Sequence, residues 1–389
     1  MTGKLGASAR WWLAGAVVVV VGILLPFVWD HAGADLKVYR LGGSTILADP
    51  ATLYTARLKE ISMPFTYPVF GALVMVPVAL LPWAMAYSAA MAASLVALAV
   101  IWRMCLGDRH PAVLVALVAA SLLLEPVRET LSYGQINLVL CAVILYDVLD
   151  TKHPRRGIWL GLAAGIKLTP LVFFGLLLVT RQWKALLHAT AAFFATVAIG
   201  FLVAPRTALD YWTNLLADTS RIGGLAYSGN QSWNGYLIRL TGNLEGGGRT
   251  WQLLLAITVL AGLYLTRVLW IRNQHLAAVS VCAMIALYCS PVSWSHHWVW
   301  CIPLGVALLQ AIDLRWRPFA GVLWFGLFAI APIWWPPRRD NRELTWTFAQ
   351  HLEGNAYLWL TLAAAVVLTF HAKKTTREEA SRVVEETAA

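Results

Sequence analysis

The chain has 389 residues, of which 59% are hydrophobic and only 13% charged, with a mean hydropathy of +0.65, against roughly 25% charged residues in a soluble domain. That composition excludes a water-soluble fold and predicts an all-α, polytopic membrane protein. The formal net charge of +10 is read as a membrane-orientation signal, with no nucleic-acid partner expected.

The first apolar run, Trp11 to Trp29, contains no charge and is close to the ~20 residues that cross a bilayer. A signal peptide is the rival reading, since Lys4 and Arg10 precede the run and Ala32, Gly33 and Ala34 follow it. The run exceeds a signal core and is bracketed by tryptophans, so a retained spanning helix is expected. The next apolar stretch, Val69 to Trp102, is too long for one pass. Pro77, Pro82 and Trp83 divide it into two short helices or one helix with an interfacial segment. Further on, Ile158 to Thr180 carries Lys167 and Pro170 near its middle and predicts a helical hairpin whose apex holds the lysine at depth. By length, ten to twelve membrane segments are expected, with one membrane domain over 1–372 and a cytoplasmic tail over 373–389.

Basic connectors recur at Arg103 and Arg109, at Lys152, Arg155 and Arg156, at Arg181 and Lys184, at Arg267 and Arg272, and at Arg315 and Arg317. They predict a multi-pass plasma-membrane protein with both termini in the cytoplasm. The unusual polar residues then gather on the opposite, extracytoplasmic face. Five cysteines, Cys105, Cys141, Cys282, Cys289 and Cys301, lie in or beside apolar segments and read as small core residues. No repeat, nucleotide-binding glycine loop or soluble catalytic domain is present.

Among the polar residues, Asp35 follows the first spanning segment and is either a helix cap, a partner of Arg40, or a carboxylate facing a substrate. His296 and His297 are adjacent, so they point about 100° apart on a helix and make a poor metal pair; an interfacial structural role is the alternative. Gln135 and Asn137 either join helices or bind a ligand. Lys167 needs an anionic partner within its apolar surroundings, and a lipid phosphate would supply one. A further cluster comprises Asn230, Gln231, Ser232, Asn234 and Arg239. Trp233, Trp294 and Trp298 are candidates for stacking on a sugar.

The ordered strings DLKVYRLGG (35–43), FTYPVF (65–70), YGQIN (133–137), AAGIKLTP (163–170), NQSWNG (230–235) and SPVSWSHH (290–297) resemble the polyprenol-phosphate-mannose-dependent alpha-(1,2)-mannosyltransferases of mycobacteria and their relatives, members of the GT-C superfamily. The resemblance implies a GT-C-like helical bundle with an outer-face cavity, a polyprenyl phosphomannose donor and a lipid-linked mannoside acceptor, for phosphatidylinositol mannoside or lipomannan synthesis. No metal site and no cofactor are expected. Transfer would invert the anomeric centre in one displacement, needing a base for the acceptor hydroxyl and a cation for the departing phosphate. Asp35 would be the catalytic carboxylate, with His296 or His297 sharing or taking over that role. Lys167 and Arg40 are then phosphate candidates, while Tyr67, Gln135, Asn137, Asn230 and Gln231 are candidates for sugar hydroxyls. Three rival functions stay open: a transporter or flippase for a lipid-linked sugar, an arabinofuranosyltransferase of the same superfamily, and a structural or assembly membrane protein, which the cost of retaining intramembrane charge disfavours.

Overall fold

A computed structural model describes the backbone of residues 7–28, 33–58, 63–244 and 246–388, and the side chains of 10–25, 33–58, 63–244 and 246–372. Lys4, Trp29, Ala32 and the basic side chains beyond 372 therefore lie outside the described residues. Every named element is helical, and among the described residues extended pairing is limited to one isolated bridge between Asn230 and Trp294. Among the described residues four helical stretches, 83–106, 183–203, 248–271 and 314–334, are long and apolar enough to cross a membrane, and the number is up to six if each of two bent pairs is one span. Any further crossings rest on shorter apolar helices, among them His275–Cys289. The chain is an all-α, multi-pass membrane protein, and it divides into two compact units.

The first unit takes 1–174, 183–224 and 295–299. It opens with α1 (Ala7–Val28), α2 (Ala34–Ala48), α3 (Val69–Val74), α4 (Val76–Leu80) and α5 (Trp83–Leu106). The long apolar stretch is thus one full-length helix preceded by two short ones, because Pro77 starts α4 and Pro82 caps α5. Helix α1 lies on α5, where Gly22 leaves so little room that a Cβ would sit 2.5 Å from the Ala92 backbone. Next come α6 (Pro111–Ser121) and α7 (Glu125–Tyr133), bent by 79°, then α8 (Asn137–Leu149) and α9 (Ile158–Ile166).

Helix α10 (Val172–Val179) carries the chain out of this unit, and α11 (Trp183–Val203) and α12 (Pro205–Asp210) return it. Gly157, Gly161 and Gly165, spaced four apart, lay one side of α9 directly on α11. A Cβ at these positions would meet Ala185 O, Ala189 O and Thr196 at 2.0, 2.3 and 2.1 Å. Small residues at that spacing let membrane helices approach closely where hydrophobicity cannot drive them together. The contact fixes the end of α9, where Lys167 leaves the helix in an extended conformation ahead of the 3₁₀ turn Thr169–Leu171.

The second unit takes 175–182, 225–294 and 300–389. Its helices are α13 (Trp233–Thr241), α14 (Gly248–Ile271), α15 (His275–Cys289), α16 (Cys301–Ala311), α17 (Arg317–Ile330), α18 (Phe348–Gly354) and α19 (Ala356–Ala388). Its polar centre is Arg239, 1% exposed. The guanidinium donates to the carbonyls of Ala226, Tyr227 and Asn230 and to Asn355 Oδ1. All five cysteines are free thiols; four are buried and Cys289 is half-buried.

Candidate active site

Two glycines build the entrance to α2. Gly33 caps it with φ +54°, donates its N–H to Ser132 O at 3.1 Å, and has the Trp83 ring where a Cβ would be. Gly134 closes α7 with φ +66°, and a Cβ there would lie 2.6 Å from Leu36 Cβ. Left-handed backbone at both positions favours glycine, and the pair locks the first turn of α2 against the turn carrying Gln135. Asp35 occupies that first turn, where the helix dipole favours a carboxylate.

Gln135 Nε2 donates to Asp35 Oδ2 at 3.0 Å. The amide cannot flip, because its Oε1 accepts from the Tyr39 hydroxyl and from Ile136 N at 3.1 Å. Tyr39 stands one turn after Asp35 on α2, and its hydroxyl lies 3.1 Å from that of Tyr67. Burial pushes the Asp35 carboxyl up from its ordinary range to about 6, with Lys167 and then the Gln135 hydrogen bond acting against that rise.

Lys167 is 7% exposed. Its Nζ donates to Asn137 Oδ1 at 2.9 Å, lies 3.5 Å from His297 Nε2, and stands 5.4 Å from the centre of the Tyr67 ring. Among the described residues no carboxylate lies within salt-bridge range of it. A buried cation whose hydrogen-bond partners are neutral is costly, and an anion beside it would offset that cost.

The five residues 295–299 bring both histidines into this unit. The His296 carbonyl is pinned by Thr130 Oγ1 at 2.9 Å and Asn137 Nδ2 at 2.8 Å, and its ring meets Tyr133 edge-on at 5.1 Å. The two imidazoles are perpendicular, 4.7 Å apart, which is the divergence expected of neighbours. Burial, then the Lys167 charge, lowers His296 to about 3 and holds His297 well below its ordinary value. Both rings are therefore neutral, and the 4.0 Å approach of His296 Nε2 to Asp35 Oδ2 is not an ion pair. Among the described residues no group of three His, Cys, Asp or Glu is arranged to hold a metal ion.

Asp35, Tyr67, Gln135, Asn137, Lys167, His296 and His297 are thus brought together. Arg40 is not: it donates to Val78 O and Leu81 O at the end of α4 and lies 5.9 Å from the Trp83 ring centre. Asn230 and Gln231 belong to the second unit, are fully buried, and serve the backbone. Asn230 bonds Leu225 O, Pro291 O and Ser293 N, while Gln231 Nε2 donates to Ser228 O and Gly354 O. Trp233 and Trp298 are buried, and Trp294 packs edge-on against Tyr227. Sequence reasoning missed Tyr39 and Thr130. The first was signalled by its four-residue spacing from Asp35; the second carried no signal.

The family model for glycosyltransferase family 87 matches residues 65–291. A polyprenol-phosphate-mannose-dependent alpha-(1-2)-phosphatidylinositol pentamannoside mannosyltransferase of Mycolicibacterium smegmatis is 36% identical, covering 84% of this chain and 86% of its own. A polyprenol-phosphate-mannose-dependent alpha-(1-2)-phosphatidylinositol mannoside mannosyltransferase of Mycobacterium tuberculosis is 32% identical over 97% of this chain and 95% of its own. No solved structure matches the chain.

Proposed function

The chain belongs to glycosyltransferase family 87, and from that premise we propose that it transfers mannose, with inversion, from polyprenyl phosphomannose to a phosphatidylinositol mannoside in an alpha-(1,2) linkage. The observation that carries this reading is the opposition of Asp35, a half-buried carboxylate pushed up to about 6, to Lys167, a buried cation with no carboxylate in salt-bridge range among the described residues. Asp35 takes the proton of the acceptor hydroxyl as that oxygen attacks the anomeric carbon. The bond from that carbon to the phosphate oxygen breaks, and its electron pair leaves on the polyprenyl phosphate, whose charge Lys167 meets. No acid is needed, since a phosphate departs as an anion. His296 and His297, held neutral, suit hydrogen bonding to sugar hydroxyls better than proton abstraction. The distribution of basic connectors supports an extracytoplasmic position for this chemistry.

Incubating purified protein with radiolabelled polyprenyl phosphomannose and phosphatidylinositol mannosides tests the reading. Label in the acceptor supports it. Movement of the donor lipid between leaflets without product would support a flippase instead.

Two consequences concern proton affinity. A base must be ionised, so activity falls as pH drops through the Asp35 value. The acid limb of kcat/KM is expected near pH 6, about two units above an ordinary carboxyl, and a limb near 4 would exclude Asp35 as raised base. Tyr39→Phe frees the Gln135 amide to turn and weakens its hydrogen bond to the carboxylate. That bond favours the charged form, so its loss should move the acid limb upward and lower kcat about tenfold, the scale of one charge-assisted hydrogen bond. A drop in kcat with an unmoved limb would make Tyr39 structural only.

A further inference from the structure

We infer that Arg57 and Arg221 form a second anion site in the first unit, which takes the phosphodiester of the acceptor lipid; this assignment rests on the proposed transferase reading. Arg57 Nη1 donates to Tyr54 O at 2.9 Å, and Arg221 Nη2 reaches the same oxygen at 3.4 Å. The two guanidinium groups thus face each other across a single atom. Arg57 is exposed and Arg221 half-buried; burial and then Arg57 lower the proton affinity of Arg221, with Asp218 acting against them. Among the described residues no carboxylate lies within salt-bridge range of either. Asp218, three positions before Arg221, directs its carboxylate to the N–H and hydroxyl of Ser220.

Two converging forks with neutral carbonyls as partners match the oxygens of a phosphate, which would relieve the repulsion and accept charge-assisted hydrogen bonds. Arg221 also donates to Phe65 O at 3.0 Å and lies 5.4 Å from the Tyr54 ring centre. Tyr54 stacks on Tyr211 at 5.4 Å and packs against Phe65, and Phe65 meets Tyr67 edge-on at 5.7 Å. Tyr67 in turn touches Tyr39.

This ladder of rings joins the arginine pair to the Asp35 cluster while keeping it at a remove, which decides between the two phosphates of the reaction. The donor phosphate is bonded to the anomeric carbon and must leave beside the attacking hydroxyl, so it belongs at Lys167. The acceptor phosphodiester is separated from the reacting hydroxyl by inositol and mannose rings, so its site lies away from the base.

The test compares radiolabelled transfer to a phosphatidylinositol mannoside with transfer to a neutral alkyl mannoside, in neutral detergent, for the wild-type chain, Arg221→Gln and Arg57→Gln. Loss of a charge-assisted contact should collapse the preference for the charged acceptor, measured as the ratio of kcat/KM values, by about tenfold in each variant. Because Arg57 is exposed and touches only loop carbonyls, its variant decides the matter if Arg221→Gln does not fold. An unchanged ratio overturns the inference. So does a rise confined to the donor KM, which would assign the pair to the donor phosphate. Loss of stimulation by added anionic phospholipid, at an unchanged ratio, would assign it to bilayer lipid and overturns the inference as well. Failure of the wild-type chain to label either acceptor refutes the proposed reaction and this assignment with it.

Discussion

Asp35→Asn is expected to abolish mannosyl transfer while leaving the protein folded and able to bind the donor. The substitution is nearly isosteric and keeps a group for Gln135 to contact, so the first turn of α2 should stay locked by Gly33 and Gly134. What it removes is the atom that receives the acceptor proton. Loss of a positioned general base costs about 10² to 10⁴ in rate, whereas an exposed carboxylate tied only to a surface cation contributes roughly 0 to 1 kcal/mol. Arg40, the partner an electrostatic reading would choose, is instead bonded to α4 carbonyls. His296→Ala and His297→Ala should lower turnover without abolishing it, because both rings are held neutral by burial and by the Lys167 charge and are poor bases where they sit. Single-turnover transfer from radiolabelled donor measures all three. Near-native turnover in Asp35→Asn beside an inactive histidine variant would move the base to that histidine.

The membrane class was legible from composition, because no folding arrangement could hide so much apolar surface from water. The candidate site was legible in part, because a charge or amide beside an apolar helix must be satisfied by something, and the polar strings lie in the same order as in a known family. Asp35, Gln135, Asn137, Lys167 and the two histidines come together accordingly. Arg40, Asn230 and Gln231 show the limit of that reasoning. A side chain that closes a loop by binding carbonyls has the same chemistry as one awaiting a sugar, and the difference lies in backbone that sequence pattern does not specify. The glycines at 157, 161 and 165 are the reverse case. Their four-residue spacing carries a helix-contact signal that sequence reasoning missed, and that contact is what carries Lys167 to its place.

Lys167→Met tests the other half of the chemistry and should act on rate, on donor affinity and on pH dependence together. A preorganised cation in a water-excluded site stabilises charge that develops on the leaving group, and its removal is expected to lower kcat about 10²- to 10³-fold, as for other electrostatic contacts of this kind, and to raise the donor KM. Arginine should not restore function, since its planar fork differs in shape from the ammonium that fits between Asn137 and His297. The acid limb should also rise above 6, because Lys167 is the main influence holding the Asp35 carboxyl down against burial. Stability discriminates between the readings. Breaking a true buried ion pair strands a charge and is strongly destabilising, by about 3 to 5 kcal/mol. Among the described residues no carboxylate lies within salt-bridge range of Lys167, so methionine relieves the cost of burying a cation and the folded state should survive. A variant that loses thermal stability while keeping wild-type donor kinetics and an unmoved acid limb would return Lys167 to a structural role and leave the leaving phosphate without its cation.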